Sequence, residues 1–417
     1  MSTLRHYQKD SSDAIVEHLN SPPAGTCEDG GIVVAPTGTG KSHIAADVAH
    51  RTGRLVVIQP GQELLTQNFK KHLLMGERAA IYSASFHSRS VGNTTFATIQ
   101  SIYQKGHLFK GFTALFDECD RFPAKTESMI GQFMRESGIK KYAGLTATPF
   151  RMEGGELTML TRCNPRLFGK MLHLIQVQDV IDWGFWANLT YTQSRYDDSQ
   201  LVWNSEGTDF TDESLDAAYE ANRMQQGILA MIEEMKAEGR KSIIVFVPNV
   251  AKAIELQTMY GNGSGVLYSG MKDKDSYVWN EYGLPTLTRG RESTVKGFKD
   301  QSLEVLFNVN IAAVGFDHPP TDGIIHARDT GSLQWYYQGT GRGTRPHENK
   351  KNCRIHDFTG NFARFGKIED IEILDIPNFG WNVCGNHDGR IFSGVNVSKG
   401  IFTTKNFLTN YQFATAK

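Results

Sequence analysis

The stretch GIVVAPTGTGKSHIAADVAH, residues 31 to 50, constrains the fold more than any other part of the chain. An unbroken apolar run, a Gly-rich loop and a segment of helical period follow one another without a gap. A short run with no polar side must be covered on both faces, as in a parallel sheet wrapped by helices. The scheme recurs. Further strand candidates in the first half are RLVVIQP, TTFATIQ, TALFDE and YAGLTA, with helical patterns at 42–51 and 62–74 between them. The second half repeats it with SIIVFVP, GVLYS, EVLFNVN, GIIHA and CRIHDF. The fold class is α/β. A chain of 417 residues exceeds what one core usually holds, so two sheet domains are expected.

The halves join between Phe168 and Asn222, where QVQDVIDWGFWANLTY reads as a short helix and a strand and DDSQLVWNSEGTDFTDESLD is polar and acidic. The expected organisation is a first domain over 1–175, a connecting segment over 176–221, a second domain over 222–377 and a C-terminal extension over 378–417. Lys272 to Gly290 interrupts the second domain, either as a wedge or as a surface loop.

Composition excludes several classes. No apolar run approaches the ~20 residues of a membrane span, and MSTLRHYQKD is too polar for a signal peptide, so a cytoplasmic location in a bacterial or phage-infected cell is expected. The 5 cysteines are scattered without a C-x-x-C pair, and Cys384 with His387 lacks further metal partners. With 44 basic and 45 acidic residues there is no basic surplus to drive nonspecific phosphate attraction, although backbone N–H groups bind phosphates without net charge.

The loop APTGTGKS carries chemistry. Successive N–H groups from Gly38 to Ser42, at a helix N-terminus, would wrap a β-phosphate. Lys41 would reach the β- and γ-phosphates, and the Ser42 hydroxyl would complete the coordination of Mg2+. Thr37, Gly38, Thr39, Gly40, Lys41 and Ser42 are therefore the expected contacts of a nucleoside triphosphate. Such a loop needs an acid for the cation and a group to orient the attacking water. ALFDECD supplies both at the end of an apolar run: Asp117 for Mg2+, Glu118 for the nucleophile.

APTGTGKS, DECD and LTATP, in this order, resemble motifs I, II and III of the superfamily 2 helicases and translocases, where motif I commonly opens with Ala, as at Ala35. VNIAAVGFDHP resembles motif V and QGTGRGTR matches the motif VI pattern Q-x-x-G-R-x-x-R. The resemblance covers about residues 4 to 366 and implies two tandem RecA-like domains with parallel sheets, ATP and Mg2+ as cofactors, and a nucleic acid as partner. It also implies why there are two domains: a guanidinium delivered from outside the P-loop domain stabilises the charge that builds on the transferring phosphoryl group. Arg345 is the expected finger, with Arg342 also facing the γ-phosphate, Gln338 near the attacking water, and Gly315 and Asp317 coupling this surface to ATP. In QWYY, Gln334 to Tyr337, packing under the motif is expected rather than base stacking.

LRHYQ resembles the short adenine-recognition motif of these enzymes. Gln8 can pair bidentately with an adenine edge and Arg5 would lie against the base; a capped surface helix is the alternative. QPGQELLTQN resembles motif Ia, ATIQS motif Ib and VPNVAKAIEL motif IV, which grip the sugar–phosphate backbone. Gln62, Thr98, Gln100, Ser101 and Asn249 offer neutral donors for such contacts, and helix caps and turns would use the same residue types.

Within the superfamily, LRHYQ, VIDWGFWANLTY, VGFDHPP, QGTGRGTR and HDFTGNFARFGKI resemble the RadD (YejH-like) helicases of bacteria, and a chain of this kind also resembles phage helicases that process branched DNA. That implies DNA repair or recombination and favours DNA over RNA. No cysteine follows Cys384 in this sequence, a departure from the cysteine-rich zinc segment of that group, so the resemblance does not by itself imply the functions of that segment here. An RNA helicase, a motor subunit serving a nuclease or defence complex, and a nucleotide-gated scaffold are the other readings.

Overall fold

The computed structural model describes residues 4–123, 125, 127–268, 271, 276–279, 285–288, 290–309, 317–378, 380–385 and 391–393. Two parallel sheets organise these residues into two lobes. The first sheet runs, edge to edge, Lys170–Leu174, Gly30–Val34, Tyr142–Thr146, Thr113–Asp117, Leu55–Gln59, Thr94–Thr98, Ala80–Ser83 and Ser88–Arg89; only the last pair is antiparallel. The second runs Leu189–Gln193, Cys353–Asp357, Gly323–His326, Ile243–Phe246, Val305–Val309 and Ser264–Tyr268, all parallel.

The central strands are buried end to end because both faces are covered. Gly30–Val34, Leu55–Gln59, Tyr142–Thr146 and Val305–Val309 are buried at every position. In a parallel sheet each strand ends on the same edge as its neighbours, so the loops that follow converge there. The P-loop after Val34, the acidic turn after Asp117 and the Thr146–Thr148 turn thus share one rim.

Two segments sit differently from the expected organisation. Within 176–221, Leu189–Gln193 is an edge strand of the second sheet, in register with Cys353–Asp357, while Trp186 is buried in the core of the first lobe. Beyond the second sheet, Ile371–Ile376 and Gly380–Gly385 form an antiparallel hairpin that returns to the first lobe. Ile371, Ile373, Val383 and Phe392 join that lobe's core. Both ends of the Gln176 amide bond to the backbone of Ile373, and Arg162 Nη1 donates to Asn382 Oδ1 at 3.0 Å. Most of 272–290 and of 378–417, including His387, lies outside the described residues. Among those described, no helix is long and apolar enough to cross a membrane.

The lobes meet over the helix Leu333–Thr340. Leu333, Tyr336 and Tyr337 are buried in one cluster with first-lobe residues, so QWYY packs under its motif as expected. Burying a side chain of this size contributes on the order of 2 kcal/mol, which favours the closed arrangement of the lobes.

Candidate nucleotide site between the lobes

A cavity of about 450 Å3 opens where the rims of the two lobes face each other. Thr37, Gly38, Thr39, Gly40, Lys41 and Ser42 line it, with Asp117 and Glu118 beside them. The opposite wall comes from the second lobe: Asp317, Arg342 and Arg345. Residues separated by some three hundred positions in sequence thus line one cavity. Gly315 lies outside the described residues.

The loop takes its shape from two glycines. Gly38 and Gly40 have φ of 81° and 84°, where a β-carbon is costly. At Gly40 a β-carbon would also stand 2.6 Å from Gln8 Nε2. Gly40 caps the helix Lys41–Arg51 and turns its free N–H groups toward the cavity. Lys41 Nζ lies 3.5 Å from Glu118 Oε1 and 3.5 Å from the Ala35 carbonyl, which aims it along the loop.

Asp117 is buried. Its Oδ2 accepts from Asn68 Nδ2 at 2.7 Å, and burial together with the neighbouring Glu118 charge pushes its carboxyl up to about 7. A cation at this point would draw it down again. Glu118 sits in a left-handed backbone conformation, φ 50° and ψ 56°, at the start of the turn Cys119–Arg121. Its Oε2 is buried and has no protein partner among the described residues. A carboxylate oxygen left free inside a polar cavity is placed to take a proton or a water.

Opposite, burial and then the nearby Arg345 push the Arg342 guanidinium down to about 9. Arg345 Nε pairs with Asp317 Oδ1 at 2.9 Å, while its Nη1 is buried without a hydrogen-bond partner among the described residues. Two guanidinium groups crowded in a buried wall are relieved by an anion between them. Lys71 and Arg5 extend the basic lining along the P-loop wall, and with burial they hold His43 below its usual range, in its neutral form. The cavity is therefore built for a strongly anionic guest.

Of the remaining expected residues that the structure describes, Arg5 and Gln8 line the cavity and the others lie away from it. Gln338 does not line the cavity; the buried end of its helix turns the amide onto Thr148 Oγ1 at 3.4 Å, so it links the lobes rather than facing a water. Gln8 and Arg5 reach the cavity, but Gln8 is already engaged at both ends, accepting from Arg5 N at 3.0 Å and donating to the Thr39 carbonyl at 2.8 Å. One acceptor and one donor position remain for a base edge. Arg5 lies 3.7 Å over the Phe185 ring, and both residues line the cavity. Thr98 is buried, its hydroxyl shared with Ser83 and Ser101, and Ser101 also accepts from Ala84 N. Asn249 caps the helix Val250–Tyr260, accepting from Lys252 N at 3.0 Å and donating to Asp216 at 2.7 Å. Both residues serve the fold. Gln62 and Gln100 remain exposed on the first-lobe rim, with Gln100 donating to the Pro60 carbonyl.

Two contributors were given no role from sequence. Asn68 closes the stretch QPGQELLTQN, and nothing in that stretch points to Asp117. Trp186, whose indole donates to the Thr37 carbonyl at 2.8 Å, lay in a quoted stretch without an assigned role.

Comparison with known proteins agrees with this geometry. Residues 1–151 match the family described as type III restriction enzyme, res subunit. The chain is 24% identical over 386 residues to the putative ATP-dependent helicase IRC3 of Saccharomyces cerevisiae, covering 86% of this chain and 51% of that protein. It thus spans about half the length of that curated relative. Similar solved structures are a fragment of a putative HsdR subunit of a type I restriction enzyme from Vibrio vulnificus YJ016 (TM-score 0.60, 18% identity, 87% of this chain, 65% of that one) and S. cerevisiae Dbp5 bound to RNA (0.52, 13%, 85% and 83%). The type ISP restriction-modification enzyme LlaBIII bound to DNA is a third (0.55, 13%, 86% and 28%). These likenesses show the tandem RecA-like fold, and the family match over residues 1–151 falls on the lobe that carries APTGTGKS and DECD.

Proposed function

We propose that this chain is an ATP-dependent nucleic-acid motor that hydrolyses ATP in the interlobe cavity and uses lobe closure to move along or remodel DNA. One observation carries the reading. Lys41, Asp117 and Glu118 stand on one wall and Arg342 and Arg345 on the other, with buried, unbonded atoms of Glu118 and Arg345 lining the same cavity.

The residues fit the substrate. The P-loop N–H groups and Lys41 would hold the β- and γ-phosphates, and Arg345 would meet charge developing on the γ-phosphoryl oxygens. Glu118 would orient the attacking water through Oε2 and take its proton. Ser42 and Asp117 would hold Mg2+, which would screen charge between phosphate oxygens. Among the described residues no group of three or more His, Cys, Asp or Glu could hold a metal alone, in keeping with a cation that leans on phosphate and water.

DNA is favoured over RNA by the restriction-enzyme family match and by LlaBIII, whose structure holds DNA; Dbp5, bound to RNA, has the same fold. The RadD resemblance favours repair or recombination. The same restriction-enzyme likenesses support a second reading, a motor subunit whose partner cuts DNA. The test is an ATPase titration with single-stranded, duplex and forked DNA beside matched RNA, at several salt concentrations. A rate that rises with DNA and falls back with salt supports the motor. A rate stimulated only by RNA overturns the DNA assignment, and one indifferent to DNA, RNA and salt overturns the motor itself.

A further inference from the structure

The turn that carries Glu118 is held from both lobes. Asp120, two residues on in the same turn, is buried, and its Oδ1 accepts from Thr146 Oγ1 at 2.5 Å within the first lobe. Its Oδ2 accepts from the Gln334 side-chain amide, which belongs to the first turn of the second-lobe helix Leu333–Thr340. Gln334 lies one helical turn before Gln338, whose amide reaches Thr148. Residues four apart share a helix face, so this helix presents two amides together to the first lobe.

A buried carboxylate needs donors on both oxygens. Thr146 supplies one whatever the lobes do. The other arrives only when the second lobe closes, because Gln334 rides on it. Opening the cleft strips that donor from Asp120. Asp120, in the turn Cys119–Arg121 that Arg121 N closes onto the Glu118 carbonyl at 3.0 Å, then keeps the Thr146 hydroxyl and loses the Gln334 amide.

We propose that Gln334 is a positioning residue for hydrolysis, which locks Asp120, and through it the Glu118 turn, when the lobes close. The inference rests on the ATPase reading for its catalytic part, while its structural part, closure of the lobes, can be measured separately. Gln334 does not line the cavity and is half-buried at the lobe boundary, so substituting it leaves the nucleotide contacts in place.

Three variants of the full chain test it: Gln334→Ala, Gln334→Glu, and Gln334→Glu combined with Asp120→Asn. In the last, the amide and the carboxylate exchange sides, so the hydrogen bond is rebuilt in reverse. Gln334→Ala is expected to lower kcat for ATP roughly tenfold while KM and binding of a non-hydrolysable ATP analogue change less than about twofold, as for an interaction made only in the competent state. Gln334→Glu, which sets two carboxylates face to face, should be worse, and the exchanged pair should recover most of the loss. Small-angle scattering should report a larger radius of gyration for the two single variants than for wild type, with compaction restored in the exchanged pair. Melting curves confirm folding. Wild-type kcat and compactness in Gln334→Ala, or an exchanged pair no better than Gln334→Glu in either measurement, would overturn the proposal. Should the wild type itself hydrolyse nothing, the motor reading and the catalytic part fall together, and the scattering series still decides whether Gln334 holds the lobes closed.

Discussion

The cavity wall and the nucleic-acid rim of the first lobe use similar polar side chains, but those side chains are occupied differently. In the wall, Glu118 Oε2 and Thr37 Oγ1 are buried and keep bonding capacity that no described protein group fills. On the rim, the Thr98 and Ser101 hydroxyls have partners, and Asn249 across the cleft is spent at both ends of its amide. A folded chain rarely leaves buried polar atoms unmatched unless something else is meant to match them. On the proposed reading, the unfilled atoms that line the cavity are the ones a nucleotide or its attacking water would meet. The rim hydroxyls and the Asn249 amide, expected from sequence to grip a nucleic-acid backbone, already hold protein partners.

The largest effects should come from breaking the cavity. Lys41→Ala and Glu118→Gln should each reduce ATP turnover to background in a steady-state phosphate-release assay. Arg345→Ala, from the opposite wall, should cost about a thousandfold in kcat, the scale of a missing arginine finger, with nucleotide binding nearly intact. Normal turnover in Lys41→Ala would remove the wall from the mechanism. Equal loss of binding and turnover in Arg345→Ala would make that residue a binding group instead.

An intermediate effect should appear in stability. Asp117 has its carboxyl raised from 3.8 to about 7, so between those values the folded chain holds a proton that the unfolded chain has released. Stability from this group is therefore fully present below about pH 4 and is lost as pH rises through 7. Comparing urea unfolding of wild type with Asp117→Asn across pH 5 to 8, the wild type should lose ground by up to about 1.4 kcal/mol per pH unit, the limit for one proton. Mg2+ with an ATP analogue should flatten the slope, because a cation favours the ionised carboxylate. A pH-independent difference would mean that Asp117 stays charged in the free protein.

These contrasts also mark what the sequence could reveal. Phosphate binding needs contiguous backbone, so Thr37 to Ser42 and the pair Asp117 and Glu118 announce themselves within a few residues and beside apolar strands. Partners that meet only through tertiary folding do not. Trp186 lies 149 residues from Thr37, and Gln334 lies 214 from Asp120. Neither has a local pattern that names its partner. The parallel strands were legible from their apolar runs, yet Ile371–Ile376 shows that a strand's destination is not: its alternation of buried Ile371 and Ile373 with more exposed neighbours signals one covered face without saying that the first lobe covers it. Gln338 was placed by motif position, and the packing of its helix sends the amide to Thr148 instead. Thr98 and Asn249 were ambiguous for a chemical reason, since hydroxyl and amide groups suit helix caps and phosphate contacts equally.

The smallest effects bear most directly on the rim. Asn249→Ala removes an acceptor from Lys252 N and a donor from Asp216, so it should cost about 1 kcal/mol of stability, the usual size of a lost cap, and leave DNA affinity within about twofold. Gln62→Ala alters an exposed side chain on the first turn of its helix and should shift the melting curve hardly at all. If the rim grips a backbone through its exposed amides, this second variant should weaken DNA binding by a few-fold in a fluorescence-anisotropy titration, equally for all base sequences, because phosphate contacts carry no base information. Its salt dependence should stay parallel to that of wild type, since a neutral amide releases no counterion. The opposite pattern, with Asn249→Ala weakening DNA and Gln62→Ala silent, would show that a satisfied amide can exchange its protein partner for a phosphate. Occupied hydrogen bonds would then no longer distinguish a rim that binds from one that only folds.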